Sequence, residues 1–97
     1  MNTVRADYEQ QKSPQYGDLM TPVQCRMARA ALDWGVLDLA KKAGISTQTI
    51  VRLERGDALK QPTLDRIRET FEGAGVAFIP ENGGGPGVRL ARRSDNV

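Results

Sequence analysis

The stretch from Leu39 to Glu54 constrains this chain more than any other: Leu39-Ala40, Ala43-Gly44-Ile45-Ser46, Ile50 and Leu53-Glu54. Leu39, Ala40 and Ala43 recur at helical spacing, and so do Ile50 and Leu53. Gly44 falls where the first segment must stop, because the residue just past a helix end often takes a positive φ, which glycine adopts freely. Ile45 is an apolar staple and Ser46 a natural N-cap for the second segment. Two helices joined by so short a turn cross steeply and nearly touch backbone to backbone. A small residue is required at the crossing, and Ala40 is that residue. Ile50 and Leu53 then anchor the second helix beneath the pair. A generic helical bundle rarely places all of these together.

The flanking sequence reads as further helices and one hairpin. Thr21-Pro22-Val23-Gln24 carries a cap, a proline suited to the first helical position and a capping-box glutamine. Cys25, Ala28, Ala31 and Leu32 continue an apolar face to about Trp34, and Gly35 is expected to end this helix and open the next, Val36 to Ala43. The third helix spans Thr47 to Arg55 and stops at Gly56. After a loop at Asp57–Gln61, Thr63 is expected to cap a fourth helix with a stripe of Leu64, Ile67, Phe71 and Ala74, stopped by Gly75. Val76-Ala77-Phe78-Ile79 has strand composition, Glu81–Pro86 is glycine-rich, and Val88-Arg89-Leu90 alternates, which predicts a short β-hairpin. The expected division is a flexible polar arm over 1–19, a helical domain over 20–75, the hairpin over 76–91 as a candidate dimerisation element, and a polar tail over 92–97. The arm is either dispensable or a contact for whatever the helical domain binds. Short strands are marginal in water unless they find a packing surface, so the hairpin must fold onto its own helices or pair edge to edge with a twin. Pairing with a twin is the favoured expectation.

Composition narrows the function. Ninety-seven residues make a single domain. With no histidine and one cysteine, Cys25, the chain lacks the usual zinc ligands, a disulfide framework and a nucleophile–histidine pair. Cys25 lies in an apolar stripe and reads as a small core residue. No enzymatic activity and no cofactor are expected. No apolar run approaches the ~18 residues of a membrane helix, so the expected location is the cytoplasm, at the nucleoid. A formal net charge of +2 has the right sign for nucleic acid but decides little by itself.

The central block is the pattern of a helix-turn-helix, in which the cap at Ser46 leaves the start of the third helix projecting with free N–H groups. Thr21 to about Thr70 resembles the lambda-repressor-like, or Xre-type, helix-turn-helix domain, and Ala74–Leu90 is similar to a glycine-rich hairpin segment of small proteobacterial Xre-type regulators. The resemblance implies a mainly α fold, a lambda-repressor-like domain of four to five helices with a short C-terminal β-hairpin. It further implies a transcriptional regulator, a repressor by preference, that binds double-stranded DNA as a homodimer. Carried over residue by residue, it puts Thr47, Gln48, Val51 and Arg52 towards the major groove. Gln48 suits adenine, Arg52 guanine and Val51 a thymine methyl, while Thr47, Thr49 and Lys60 suit phosphates. Arg29 and Glu54 match a structural ion pair between the first and third helices. Arg26, Lys41 and Lys42 read as solvated or weakly phosphate-facing.

Two departures from the family pattern stand out. Many relatives carry Ser or Asn followed by Gln where this chain has Gly35-Val36, and Val36 cannot clamp a phosphate with its side chain. The loop before the fourth helix is also about a residue long, which blurs the match at Lys60. The alternative function is a protein-interaction module that has kept the fold, such as an antiactivator or the antitoxin of a toxin–antitoxin pair, with a partner protein in place of an operator.

Overall fold

In the computed structural model, the described residues run from Met20 to Ala91. The arm at 1–19 and the tail at 92–97 lie outside them. The order is α1 (Pro22–Leu32), α2 (Val36–Ala43), α3 (Thr47–Arg55), α4 (Gln61–Gly73), β1 (Val76–Ile79) and β2 (Gly87–Leu90).

The capping box at the start of α1 forms as expected: Gln24 N donates to Thr21 Oγ1 at 3.1 Å and Thr21 N to Gln24 Oε1 at 3.0 Å. The other end departs from expectation. The helix stops at Leu32, and Asp33 takes the left-handed conformation at φ 59°, which aspartate tolerates better than most residues. Turning there frees Trp34 to stack on Phe71, with ring centroids 5.7 Å apart. Gly35 is then the extended N-cap of α2 rather than the end of α1. Ala31, expected on the buried stripe, is exposed.

The central turn follows the sequence reading. Leu39, Ala40 and Ala43 are buried on α2, and Gly44 closes it at φ 72° with its N–H bonded to Ala40 O at 2.9 Å. Ser46 caps α3, and Ile50 and Leu53 are its buried residues. The fourth helix starts three residues earlier than expected, its N-cap moving from Thr63 to Lys60. Lys60 caps it without a side-chain bond, and Pro62 sits in the first turn. Proline fits there because it lacks the N–H that the first turn leaves unpaired. Thr63 is therefore inside α4, its N–H bonded to Lys60 O at 3.0 Å. Ala74, expected on the apolar stripe, is exposed at the end of α4.

The core gathers Met20, Cys25, Ala28, Leu39, Ala40, Ala43, Ile50, Leu53, Ile67, Phe71 and Val76. Val76 places the hairpin inside that core. The strands are antiparallel, with Val76 opposite Leu90 and Ile79 opposite Gly87, and Phe78 meets the edge of Phe71 at 6.0 Å. The buried amide of Gln24 donates to Ile79 O at 3.1 Å and to Gly87 O at 2.8 Å. These two carbonyls belong to the pair that closes the hairpin, so one α1 side chain holds its mouth. The hairpin thus folds onto its own helices, and the need for a twin to cover Val76, Phe78 and Val88 lapses. Leu90 stays largely exposed. No helix among the described residues is long and apolar enough to cross a membrane.

Candidate nucleic-acid interface

The exposed side of α3 consists of Thr47, Gln48, Val51, Arg52 and Arg55, a set whose spacing puts it on one helical face. The opposite side is fixed by Ile50 and Leu53 and, at its edge, by Glu54. Thr49 lies between the two. It is half-buried, and its hydroxyl is 2.8 Å from Ser46 Oγ, which also accepts Thr49 N–H at 3.1 Å. Thr49 is therefore part of the helix cap before it is anything else. Lys60 is exposed, and with Thr49, Arg52 and Thr63 it lines an open groove of about 490 Å³ between α3 and the start of α4. Of the six residues assigned to DNA, five thus lie on α3, and Lys60 shares this groove with two of them, Thr49 and Arg52.

Arg29 and Glu54 form the expected pair. It is bidentate, with Nε to Oε2 at 2.8 Å and Nη2 to Oε1 at 2.7 Å, and the side chains are only 20% and 10% exposed. Burial pushes the Glu54 pKa up, but the hydrogen bonds from Arg29 and Cys25 and the charges of Arg29 and Arg26 outweigh it, leaving the carboxyl below its ordinary range. Burial first, and then Glu54, push the Cys25 thiol well above its ordinary value. A thiol so held is a poor nucleophile at neutral pH, which agrees with its role in the core.

Arg26 is exposed, as expected of a solvated residue, and has a contact the sequence reading did not include: its Nη1 donates to Glu54 O at 2.6 Å and so satisfies a carbonyl of the last turn of α3, where a cation is favourable. The available signal was the spacing: Arg26 precedes Arg29 by three residues, on the same side of α1. Asp57 was also missed. It lies 2.6 Å from Arg55 Nη2 and 3.6 Å from Arg52 Nε. Hydrogen bonding from Arg55 holds its carboxyl below the usual range.

The start of α2 differs from that of α3. Gly35 N–H donates to Asp38 Oδ2 at 2.8 Å, so a carboxylate already stands where a phosphate would approach. Leu37, next to it, is 58% exposed.

Two packed helices joined over the Gly44 turn, with one polar face of the second turned outward, are the arrangement of a helix-turn-helix. The comparison with known families agrees: a helix-turn-helix family model matches residues 26–73, from within α1 to the end of α4. Residues 26–73 are thus a helix-turn-helix domain of the Xre-type, lambda-repressor-like kind, the domain of a family of transcription regulators. No curated protein matches the chain.

Proposed function

We propose that the protein is a sequence-specific, cytoplasmic transcriptional repressor that places α3 in the major groove of promoter DNA. The observation that carries this reading is the two-sided character of α3. One face is locked by Ile50, Leu53 and the Glu54–Arg29 pair, and the other offers Thr47, Gln48, Val51 and Arg52 to solvent. A reading helix needs both, because base recognition requires side chains free to meet base edges on a backbone that does not move. Gln48 reads adenine and Arg52 guanine, while Val51 meets a thymine methyl. Thr47, Thr49 and Lys60 place the protein on phosphates, which fixes register without carrying sequence information. Two copies bind a pseudo-palindrome, their α3 helices roughly 34 Å apart, one helical turn of DNA. Selecting fragments of the source genome on the purified protein tests this: the account expects a shared motif with two half-sites, and fragments enriched without any motif would overturn it.

One observation favours a second reading. The start of α2 carries Asp38 and an exposed Leu37 in place of a phosphate clamp, and such a surface suits a protein partner. An interaction module of this kind would show weak DNA binding with little salt dependence, whereas a regulator loses affinity steeply as salt rises.

A further inference from the structure

The outward face of α3 ends in two arginines that share one acid. Gly56, left-handed at φ 99°, turns the chain back on the helix, and Asp57 N–H then bonds Arg52 O at 3.0 Å. This places the Asp57 carboxylate beside both guanidinium groups. Arg55 meets it at 2.6 Å and, through Nε, at 3.4 Å. Arg52 meets it through Nε at 3.6 Å, and among the described residues nothing else pairs with the Arg52 guanidinium. Both arginines remain substantially exposed, at 47% and 63%. The acid within the helix, Glu54, is already committed to Arg29.

We propose that Asp57 is a specificity-setting residue, which weakens binding to arbitrary DNA while it orients Arg52 for a base. The proposal rests on the reading of α3 as the base-contacting helix. Binding to arbitrary DNA is a matter of cations meeting phosphates and releasing counterions. An arginine already paired with a carboxylate gains less from that exchange, and the carboxylate itself is repelled by the backbone. Contact with guanine differs, because it uses two parallel N–H donors of a flat fork. Arg52 can keep Asp57 on its Nε edge and still offer its two terminal nitrogens to O6 and N7. The penalty therefore falls on the wrong DNA and spares the right one.

The test compares the full chain with Asp57→Asn and Asp57→Ala on two probes: a duplex pool of random sequence, and the duplex that the unmodified protein enriches from that pool. Both variants are expected to bind the random pool several-fold more tightly and to lose several-fold in the ratio of selected to random affinity. Their salt dependence on random DNA should steepen, by about 0.9 in the log–log slope for each further phosphate engaged. An unchanged ratio, or equal weakening on both probes, would overturn the proposal and leave Asp57 as a helix-end contact. Arg52→Ala, run beside them, separates the two ideas. If it loses discrimination while the Asp57 variants do not, only the Asp57 proposal fails; if it loses none, the reading of α3 fails and takes the proposal with it.

Discussion

The two helices of the central motif begin in opposite ways. At the start of α3, a neutral hydroxyl, Ser46 Oγ, takes the Thr49 N–H, and the exposed residues that follow are Thr47 and Gln48. At the start of α2, a carboxylate, that of Asp38, takes the Gly35 N–H, and the exposed residue beside it is Leu37. Either cap satisfies the backbone. Only the neutral one leaves the positive end of the helix dipole available to an outside anion. Local stability and ligand binding are thus separable at a helix start. On the proposed function, the difference makes a division of labour: α3 and Lys60 approach the DNA while α2 supports them.

That division can be broken at its support first. Removing one partner of a buried ion pair costs about 3–5 kcal/mol. Arg29→Ala should fall near the lower limit, because the pair keeps an edge in water, and denaturant unfolding would show it. Replacing Arg29 and Glu54 together by an apolar pair should recover much of the loss, and a cycle without coupling between them would remove the joint from the account.

The comparison of the two helix starts can be sharpened directly. Asp38→Ala should lower stability by about 0.5–2 kcal/mol, as for other lost caps, yet leave DNA affinity at fixed salt equal or slightly higher. Ser46→Ala should cost stability on the same scale and also weaken DNA binding, since it loosens the start of α3. Equal effects of the two changes on DNA would mean that both helix starts face the phosphates.

The support also titrates. Glu54 has a folded-state pKa held below its ordinary value, so its contribution to stability is present above about pH 4.3, the unfolded value, and is lost as pH falls through the lower folded value. Glu54→Gln should therefore differ most from the unmodified protein near neutrality and converge with it in acid. Urea midpoints across pH 2 to 7 would show the convergence, and a constant gap would place the acid sensitivity elsewhere.

The smallest expected effect concerns Leu90, which the hairpin leaves exposed. If two copies meet along this strand, Leu90→Glu should shift sedimentation from dimer to monomer without changing the helical signal. An unshifted dimer would place the contact on another face. Deleting the whole hairpin would be less informative, because Val76 belongs to the core.

The parts of the fold legible in the sequence were those fixed by local chemistry. Thr21 with Gln24, Gly44, Ser46 and Gly56 each mark a helix end through a cap or a left-handed residue, and each does so in the structure. Where a longer-range contact decided, the reading slipped. Asp33 ends α1 because Trp34 turns onto Phe71, some 37 positions along the chain. The hairpin folds inward because Gln24, assigned only to a cap, also reaches across to Ile79 and Gly87. The outward face of α3 was legible, since periodicity separates Gln48 and Arg52 from Ile50 and Leu53; assigning that face to DNA came from the family resemblance. Asp57 was not, because its meaning depends on the left-handed turn at Gly56 that brings it back over two arginines.

The central claim, that α3 reads bases while the rest of the domain holds it in place, is tested most directly by Gln48→Ala and Arg52→Ala. Both side chains are exposed, so unfolding should be nearly unchanged. Binding free energies would be measured on the enriched duplex and on random DNA at the same salt concentration. The account predicts a loss of ~1–3 kcal/mol for each variant on the enriched duplex and much less on random DNA. Equal losses on both would contradict it, because these side chains would then touch phosphates alone.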